Sequence, residues 1–463
     1  MSLPITGPTF EEMLHPQQID ANIRARALAA SQHNPLNPIN LFSISWRGAD
    51  GRVSYDLLPP ELTGVSAPIV ILYGRDFPTG SHKVGAAYAV LLERVLSGEA
   101  RSGHTTCVWP STGNYGIGGA WVGGRMGFRN LVIMPQRMSA ERFERIRAYG
   151  AEIDTVPGGE SDVVSLYDRA VELEQSDPEH ILVLNQFSSM ANYRFHYYVT
   201  GNTIVELAAE LAAEGVGRGR VAAYVSAMGS AGTIAAGDRV KQVWADAQVV
   251  GVEPIQCPTL SCAGYGSHAI QGVGDRHVTW IHNVLNTDAV MAIDDAEALE
   301  GLQLLTDPAG WPLLSERYGV PRESLERVAT YAGISGVANI LAAIKTAKFY
   351  ELGAEDVVVT VCTDTIDRYR STMAEFTEHV GAMDEIEAAV RLVSIFHRQK
   401  LDWVTEGTRE HRRLWHNLKF FTWVEQRGKS MAELDAQRSA EYWIEQQEQV
   451  VEVDRALLAL RAS

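Results

Sequence analysis

The chain has 463 residues, 46% of them hydrophobic and 21% charged, which predicts two domains with an extension and excludes a disordered or fibrous protein. Its formal net charge of -17 argues against nucleic-acid and anionic-membrane partners, because phosphate groups bind to basic surfaces. The sequence has no apolar run that would span a bilayer, no secretory signal and no C-x-x-C pair, which favours a cytoplasmic protein with free thiols.

Short apolar runs alternate with helical patterns as far as Asp364, which predicts βαβ units and a mostly parallel sheet. Helices are predicted from about Gly116, over 139–150 with Gly150 as the C-cap, and over 161–175. The predicted strands cover residues 68–73, 105–109, 130–135, 152–157, 181–187, 221–227, 247–254 and 356–364. The last of these is rich in β-branched residues, which is typical of a strand buried on both faces.

The sequence changes character near residue 376, and from there to Ser463 it has helical spacing. Four tryptophans stand in this segment among Glu, Arg and Gln, namely Trp403, Trp415, Trp423 and Trp443. The pattern predicts an amphipathic helical extension that buries these tryptophans against the rest of the chain or against a partner subunit. A separate regulatory or binding module is the alternative.

Three short stretches combine small and polar residues where helices begin. "TGSHK" (79–83) places Lys83 after a turn, where a lysine is either a surface cation or held in a pocket for covalent chemistry. "STGN" (111–114) and "GSAGT" (229–233) each follow a strand and open a helix, so their backbone N–H groups would meet an anion. The alternatives are a plain N-cap for the first loop and a tight βα turn for the second. The second loop lacks the G-K-[ST] of a P-loop, which argues against a nucleotide-binding transferase.

Together these stretches resemble the fold-type-II pyridoxal-phosphate enzymes, a family that includes cysteine synthase, cystathionine β-synthase and the tryptophan synthase β-chain. "TGSHK" resembles the cofactor-lysine motif of the family, "STGN" its substrate-carboxylate loop and "GSAGT" its phosphate loop. Further stretches that resemble cysteine synthase are "GVEP" (251–254), "GSHAIQGVG" (266–274) and "RYRST" (368–372). The resemblance runs in the order of the family from about Pro68 to Thr372.

The resemblance implies an α/β fold with two three-layer αβα domains and mostly parallel sheets, as in the tryptophan synthase β-chain, plus the helical C-terminal extension. The cofactor would bind between the domains, and the family is usually dimeric. The implied units are an N-terminal segment of the large domain (1–76), a small substrate-binding domain (77–190), a large cofactor-binding domain (191–375) and the extension (376–463).

The resemblance also implies roles for individual residues. Lys83 would form the Schiff base with pyridoxal 5'-phosphate and then act as the general base. The residues implied for the phosphate are His82, Gly229, Ser230, Ala231, Gly232 and Thr233. The residues implied for the substrate carboxylate are Ser111, Thr112, Gly113, Asn114 and Gln186, and Asn114 would also bond the ring oxygen of the cofactor. For the pyridine nitrogen the sequence leaves Thr363 and Asp364 open, and no metal ligand is expected.

The activity implied is that of a carbon–heteroatom lyase, which acts on a β-substituted amino acid by Cα deprotonation and β-elimination through an aminoacrylate. Two alternatives stay open. One is a β-replacement synthase of the cysteine synthase type, in which a thiol or another nucleophile adds. The other is a catalytically inactive regulatory relative. The expected protein is a cytoplasmic homodimer that binds a small amino acid, and neither nucleic acid nor a membrane.

Overall fold

Two β-sheets organise the chain in a computed structural model that describes residues 6–160, 163–264, 266–273 and 276–462. The strands are β1 (Tyr55–Leu58), β2 (Ile69–Tyr73), β3 (Thr106–Pro110), β4 (Arg129–Pro135), β5 (Glu152–Val156), β6 (Ile181–Val183), β7 (Val221–Ala227), β8 (Gln248–Pro254), β9 (Ala289–Ile293), β10 (Val357–Cys362) and β11 (Val404–Glu406). The larger sheet has the order β1-β2-β10-β7-β8-β9-β11, and the smaller has the order β5-β4-β3-β6.

Both sheets are mainly parallel, as predicted. The strands of the smaller sheet all run parallel, while in the larger sheet the edge strands β1 and β11 pair antiparallel with β2 and β9. Every residue of the central strand β10 is buried, which agrees with its β-branched sequence. Because parallel strands end at one edge of a sheet, the loops after β7 and β10 lie at one edge of the larger sheet, while the loop after β3 belongs to the smaller sheet.

Helices cover the faces of both sheets. The α-helices are α1 (Phe10–Leu14), α2 (Ala21–His33), α3 (Pro60–Thr63), α4 (Lys83–Leu96), α5 (Asn114–Arg125), α6 (Ala140–Ala148), α7 (Val163–Ser176), α8 (Met190–Phe195), α9 (Gly201–Ala213), α10 (Ala236–Val243), α11 (Thr259–Cys262), α12 (Asp295–Thr306), α13 (Trp311–Tyr318), α14 (Arg322–Tyr331), α15 (Ile334–Phe349), α16 (Arg370–Val380), α17 (Glu385–Arg391), α18 (Arg409–Lys419), α19 (Met431–Ala436) and α20 (Ala440–Ala462). Among the described residues no helix has the length and apolarity needed to cross a membrane.

The strands predicted from the sequence are all present, although β6 and β10 are clearly shorter than predicted. The run over 181–187 ends as a strand at Val183, and the chain then turns so that Gln186 reaches a cleft. Strands β1, β9 and β11 are not predicted. The first and last are short edge strands, and β9 is a five-residue apolar run, in which periodicity cannot separate a strand from a buried helix.

The C-terminal extension is mostly helical; its strand β11 pairs with β9 of the larger sheet, and Trp423 and Trp443 share a hydrophobic cluster with residues of β3 and β4 of the smaller sheet. Trp415, Trp423 and Trp443 are buried, and the first two donate their indole N–H to the backbone oxygens of Leu260 and Val278, at 3.0 and 2.8 Å. Trp403, however, is 43% exposed, so the rest of the chain does not bury it, and its burial against a partner subunit stays a prediction. The extension also contributes β11, which its helical spacing does not predict. All four cysteines are free thiols, as predicted.

Candidate active site

Lys83 is the first residue of α4, and the turn before it fixes where its side chain begins. Gly80 N–H donates to the Phe77 backbone oxygen at 2.7 Å, and Gly80 adopts a φ of +70°, a conformation that favours glycine. The Lys83 Nζ lies 3.0 Å from the Ser230 Oγ and 3.5 Å from the Gln186 Oε1. The fold therefore brings together a lysine, the predicted phosphate loop and a predicted substrate residue from three distant parts of the sequence.

His82 connects the lysine motif to the predicted phosphate loop. Its ring is fully buried, and its Nε2 lies 3.0 Å from the Thr233 Oγ1, while its Nδ1 has no hydrogen-bond partner among the described residues. Burial, and then the charge of Lys83, lower the pKa of His82 well below its usual value. The ring is therefore a neutral hydrogen-bonding group beside the loop.

The loop after β7 has the backbone geometry of an anion site. Ala231 adopts a φ of +57°, and a Cβ on Gly229 would lie 2.6 Å from the Gly272 backbone oxygen, so this position requires glycine. Within the described part of the chain, the N–H groups of Gly229, Ser230 and Ala231 have no hydrogen-bond partner. Such N–H groups at the start of a helix suit a phosphate, so this loop fits the phosphate of the expected cofactor.

The loop after β3 is held by its own serine. The Ser111 Oγ accepts from the N–H groups of Gly113 (3.0 Å) and Gly116 (2.9 Å), which leaves the Ser111 hydroxyl proton available for another acceptor. A Cβ on Gly113 would lie 2.7 Å from the Arg142 guanidinium, so Arg142 packs directly against the loop. Arg142 Nη1 also donates to the Thr112 backbone oxygen at 2.9 Å.

Asn114 is tied to residues more than 200 positions away. Its Nδ2 donates to the Asp364 Oδ2 at 2.5 Å, and its Oδ1 accepts from the Arg368 Nε at 2.6 Å. Because a carboxylate only accepts and a guanidinium only donates, these two partners fix the orientation of the Asn114 amide. The second Nδ2 proton remains available on a residue that lines the cleft.

Thr363 and Asp364 occupy different places at the end of β10. Thr363 lines the cleft together with Lys83. Asp364 is fully buried, and besides Asn114 its Oδ2 accepts from the Tyr369 hydroxyl at 2.5 Å. Burial, together with the charge of Asp364, raises the pKa of Tyr369 well above its usual value, so this phenol keeps its proton and donates it.

The cleft collects most of the residues that the sequence predicts for the site. Those that line it are Lys83, Ser111, Thr112, Gly113, Asn114, Gln186, Gly229, Ser230, Ala231, Thr233 and Thr363. His82, Gly232 and Asp364 do not line it but contact residues that do, or lie between them in the chain. Gly274, the last residue of the predicted stretch 266–274, lies outside the described residues.

Two charged residues of the cleft are not predicted from the sequence, Arg142 and Glu160. Each stands alone in a predicted helix or turn, so no local motif marks it. A cluster with metal-ligand chemistry, formed by His104, Glu179 and His180, lies at the amino ends of β3 and β6, away from the cleft loops.

Comparisons with known proteins agree with the resemblance. The sequence profile of the family described as pyridoxal-phosphate dependent enzyme matches residues 74–364. A probable cysteine synthase of Bacillus subtilis is 31% identical over 296 residues, which are 64% of this chain and 86% of that protein. Among solved structures, O-acetyl serine sulfhydrylase isoform 3 from Entamoeba histolytica has a TM-score of 0.61 at 24% identity, covering 79% of this chain and 96% of that chain. A hydrogen sulfide-producing enzyme from Fusobacterium nucleatum has a TM-score of 0.58 at 24% identity, covering 73% and 91%.

Proposed function

The chain belongs to the pyridoxal-phosphate-dependent enzymes, and on this premise we propose that it removes the β-substituent of an amino acid, with Lys83 as cofactor anchor and general base. The observation that carries the proposal is the convergence of Lys83 with the loops 111–114 and 229–233 on one cleft. No sequence motif alone would require this convergence, because the three stretches lie far apart in the chain.

Several residues would hold the cofactor. When bound, pyridoxal phosphate supplies an aldehyde carbon for covalent attachment and an electron sink for the electrons of the Cα–H bond. The Lys83 amine is the group for the attachment, and the partnerless N–H groups of 229–231 with neutral His82 suit the phosphate. The Thr363 hydroxyl suits the ring nitrogen, because Thr363 lines the cleft while Asp364 bonds to Asn114.

The remaining cleft residues would bind the amino acid and move its proton. The Ser111 hydroxyl and the Gln186 side chain face the same cleft as Lys83, and both can donate to a substrate carboxylate. The Lys83 Nζ, which lies 3.0 Å from the Ser230 Oγ, would take the proton from Cα of the bound amino acid.

Elimination is the first candidate for the outcome, and replacement is the second. In elimination the leaving group departs and the three-carbon remainder hydrolyses to a keto acid and ammonia. In replacement a thiol or another nucleophile adds to Cβ, and the similarity to a probable cysteine synthase favours this candidate. Both outcomes use the same residues up to the departure of the leaving group.

The test uses the purified holoenzyme with O-acetyl-L-serine, L-cysteine and L-serine, each with and without added sulfide. Elimination predicts keto acid and ammonia in equal amounts without a second nucleophile. Replacement predicts a new amino acid that forms only with the nucleophile. If no substrate gives either product, and none changes the visible absorption of the cofactor, the proposal is wrong.

The assembly and the domains are part of the same proposal. We take residues 77–190 as the small substrate domain and 1–76 with 191–375 as the large cofactor domain, followed by the extension. In support, the smaller sheet uses strands between 106 and 183, and β1 and β2 join the larger sheet. We propose a cytoplasmic location because the thiols are free, and a homodimer because members of the family are usually dimeric. Sedimentation of the purified protein tests the dimer.

A further inference from the structure

The side-chain carboxylate of Glu160 lies against the loop 111–114, which is the loop proposed to bind the carboxylate of the substrate. Glu160 follows β5, and its side chain is 7% exposed and lines the cleft. Its Oε1 accepts from the Thr112 hydroxyl at 2.7 Å and from the Gly272 N–H at 2.7 Å, and its Oε2 accepts from the Arg142 Nη1 at 3.3 Å. Three donors, one of them charged, therefore converge on this carboxylate.

These three donors form a receptor for a carboxylate, whichever molecule supplies it. A hydroxyl can donate only one proton, and that of Thr112 is already given to Glu160. Thr112 is also one of the residues that the family resemblance implies for the carboxylate of the substrate. An arriving carboxylate can therefore use Thr112 only if Glu160 leaves, because two carboxylates would otherwise share the same donors.

We propose that Glu160 occupies the substrate-carboxylate loop in the free enzyme and is displaced by the α-carboxylate of the amino-acid substrate. This inference rests on the proposed function, since it assumes that an amino acid binds at 111–114. Displacement exchanges one carboxylate for another beside Arg142. The charge of the buried guanidinium therefore stays balanced throughout the binding step.

The exchange would make the site selective for amino acids over amines. Arg142 is buried, and burial by itself would lower its pKa, but Tyr369 and Glu160 outweigh that effect and raise it. An amine without a carboxylate cannot replace Glu160 at this guanidinium, and moving Glu160 away would leave the buried charge without its paired carboxylate. Glu160 therefore acts as a specificity-determining residue.

Displacement would also break a link between distant parts of the chain. Glu160 follows β5 of the smaller sheet, whereas Gly272 lies between β8 and β9 of the larger sheet. The Glu160–Gly272 hydrogen bond therefore joins the two sides of the cleft in the free enzyme. Binding of the amino acid would replace this link with contacts to the substrate.

The test compares L-alanine with ethylamine, which is alanine without its carboxylate. Neither carries a β leaving group, so binding can be followed by the visible absorption of the cofactor without turnover. The variants are E160A, E160Q, which keeps the side-chain volume, and E152Q, which removes an exposed carboxylate from β5 as a control for net charge. Unchanged melting temperature and cofactor absorption before titration show that each variant is folded and loaded.

We expect E160A and E160Q to lower the dissociation constant of alanine by about 10-fold, and E152Q to leave it unchanged. The dissociation constant of ethylamine should change by less than about 2-fold in every variant. Acetate should compete with alanine in E160A more strongly than in the wild type, because the receptor is then vacant.

Weaker binding of alanine in E160A and E160Q would overturn the inference and assign Glu160 to supporting the loop. Equal changes for alanine and ethylamine would also overturn it, because the carboxylate would then have no part in the effect. If alanine leaves the absorption of the wild-type holoenzyme unchanged, the proposed function fails as well. If the wild type responds and the Glu160 variants do not differ from it, only the inference fails.

Discussion

The cleft and the C-terminal extension each enclose a lysine, and the surroundings of the two lysines differ. Lys419, at the end of α18, is fully buried. Its Nζ donates to the backbone oxygens of Trp280 (3.0 Å) and His282 (2.7 Å) and to the Gln437 Oε1 (2.6 Å). Through these three hydrogen bonds Lys419 joins the extension to the segment before β9.

Lys83 has partners of another kind. Its Nζ contacts the side chains of Ser230 and Gln186, and both of these residues line the cleft in which we place the cofactor and the substrate. Burial by itself therefore does not mark a reactive lysine. Lys83 differs because it faces a cavity that is lined by groups suited to a ligand. Lys419 is instead surrounded by hydrogen-bond acceptors that have a structural role.

Replacement of Lys83 by alanine tests this difference and should have the largest effect. K83A should lose the covalent link to the cofactor and at least about 10³-fold of the activity, because a positioned general base alone contributes in this range. Its melting temperature should stay near that of the wild type, since the lysine serves the ligand more than the fold. Intact-mass measurement after borohydride reduction detects the covalent adduct in the wild type and its loss in K83A.

Lys419 remains in K83A and serves as the control, because it should carry no reduced adduct in either protein. A reduced adduct that persists in K83A, or that maps to another lysine, would contradict the assignment. Either outcome would also remove the contrast between Lys83 in the cleft and Lys419 in the extension.

Replacement of Lys419 should give the opposite pattern. K419A should lower the free energy of unfolding by about 3 kcal/mol, because three buried acceptors lose their donor at once. The adduct on Lys83 should remain. K419M keeps most of the apolar stem, so a similar loss in K419M assigns the effect to the hydrogen bonds. Denaturant unfolding measures both variants, and unchanged stability in both would contradict a structural role.

The same contrast explains which parts of the site the sequence predicts. Lys83 and the loops 111–114 and 229–233 are short contiguous stretches whose backbone geometry depends on their own glycines and caps. Such stretches can be interpreted without the fold. Arg142 and Glu160 reach the cleft from the start of a helix and from a turn, and tertiary contacts with Thr112 and Gly272, which are distant in the sequence, bring them there.

The extension was predictable only in outline. Its helical spacing and tryptophans indicate amphipathic helices, and three of its tryptophans are buried. The strand β11 is three residues long, and its place beside β9 depends on an edge that the local sequence does not encode. The partners of Lys419 lie more than 100 residues away in two of three cases, so no local pattern could mark this lysine as structural.

The contact between the two ends of the chain predicts a pH dependence. Asp454, in α20, accepts from the N–H groups of Phe10 (2.7 Å) and Glu11 (3.0 Å). Burial raises the pKa of Asp454 from its usual value of 3.8 to about 6. The folded chain therefore keeps this proton at a pH where the unfolded chain has lost it, so the stability from this group is present at low pH and lost as the pH rises toward 6.

The measurement compares the wild type with D454N, which cannot titrate at this position. Between pH 7.5 and pH 4.5 the wild type should gain about 2 kcal/mol of unfolding free energy relative to D454N. Other carboxylates titrate in both proteins and cancel in the difference. A difference that stays constant over this range would show that Asp454 is already ionised at low pH, as expected if the positive end of α1 stabilises its charge.

The smallest effect concerns Asp364 and returns to the cleft. Because Asp364 fixes the Asn114 amide, D364A should weaken cofactor binding mainly through Asn114. In a double-mutant cycle on the dissociation constant of pyridoxal phosphate, D364A and N114A should couple by about 1 kcal/mol, which is about 5-fold. D364A should add to T363A without coupling, since Thr363 lines the cleft and Asp364 lies behind it. Full additivity of D364A with N114A, together with coupling to T363A, would instead place Asp364 at the cofactor ring and make it, like Lys83, a group that acts on the ligand directly.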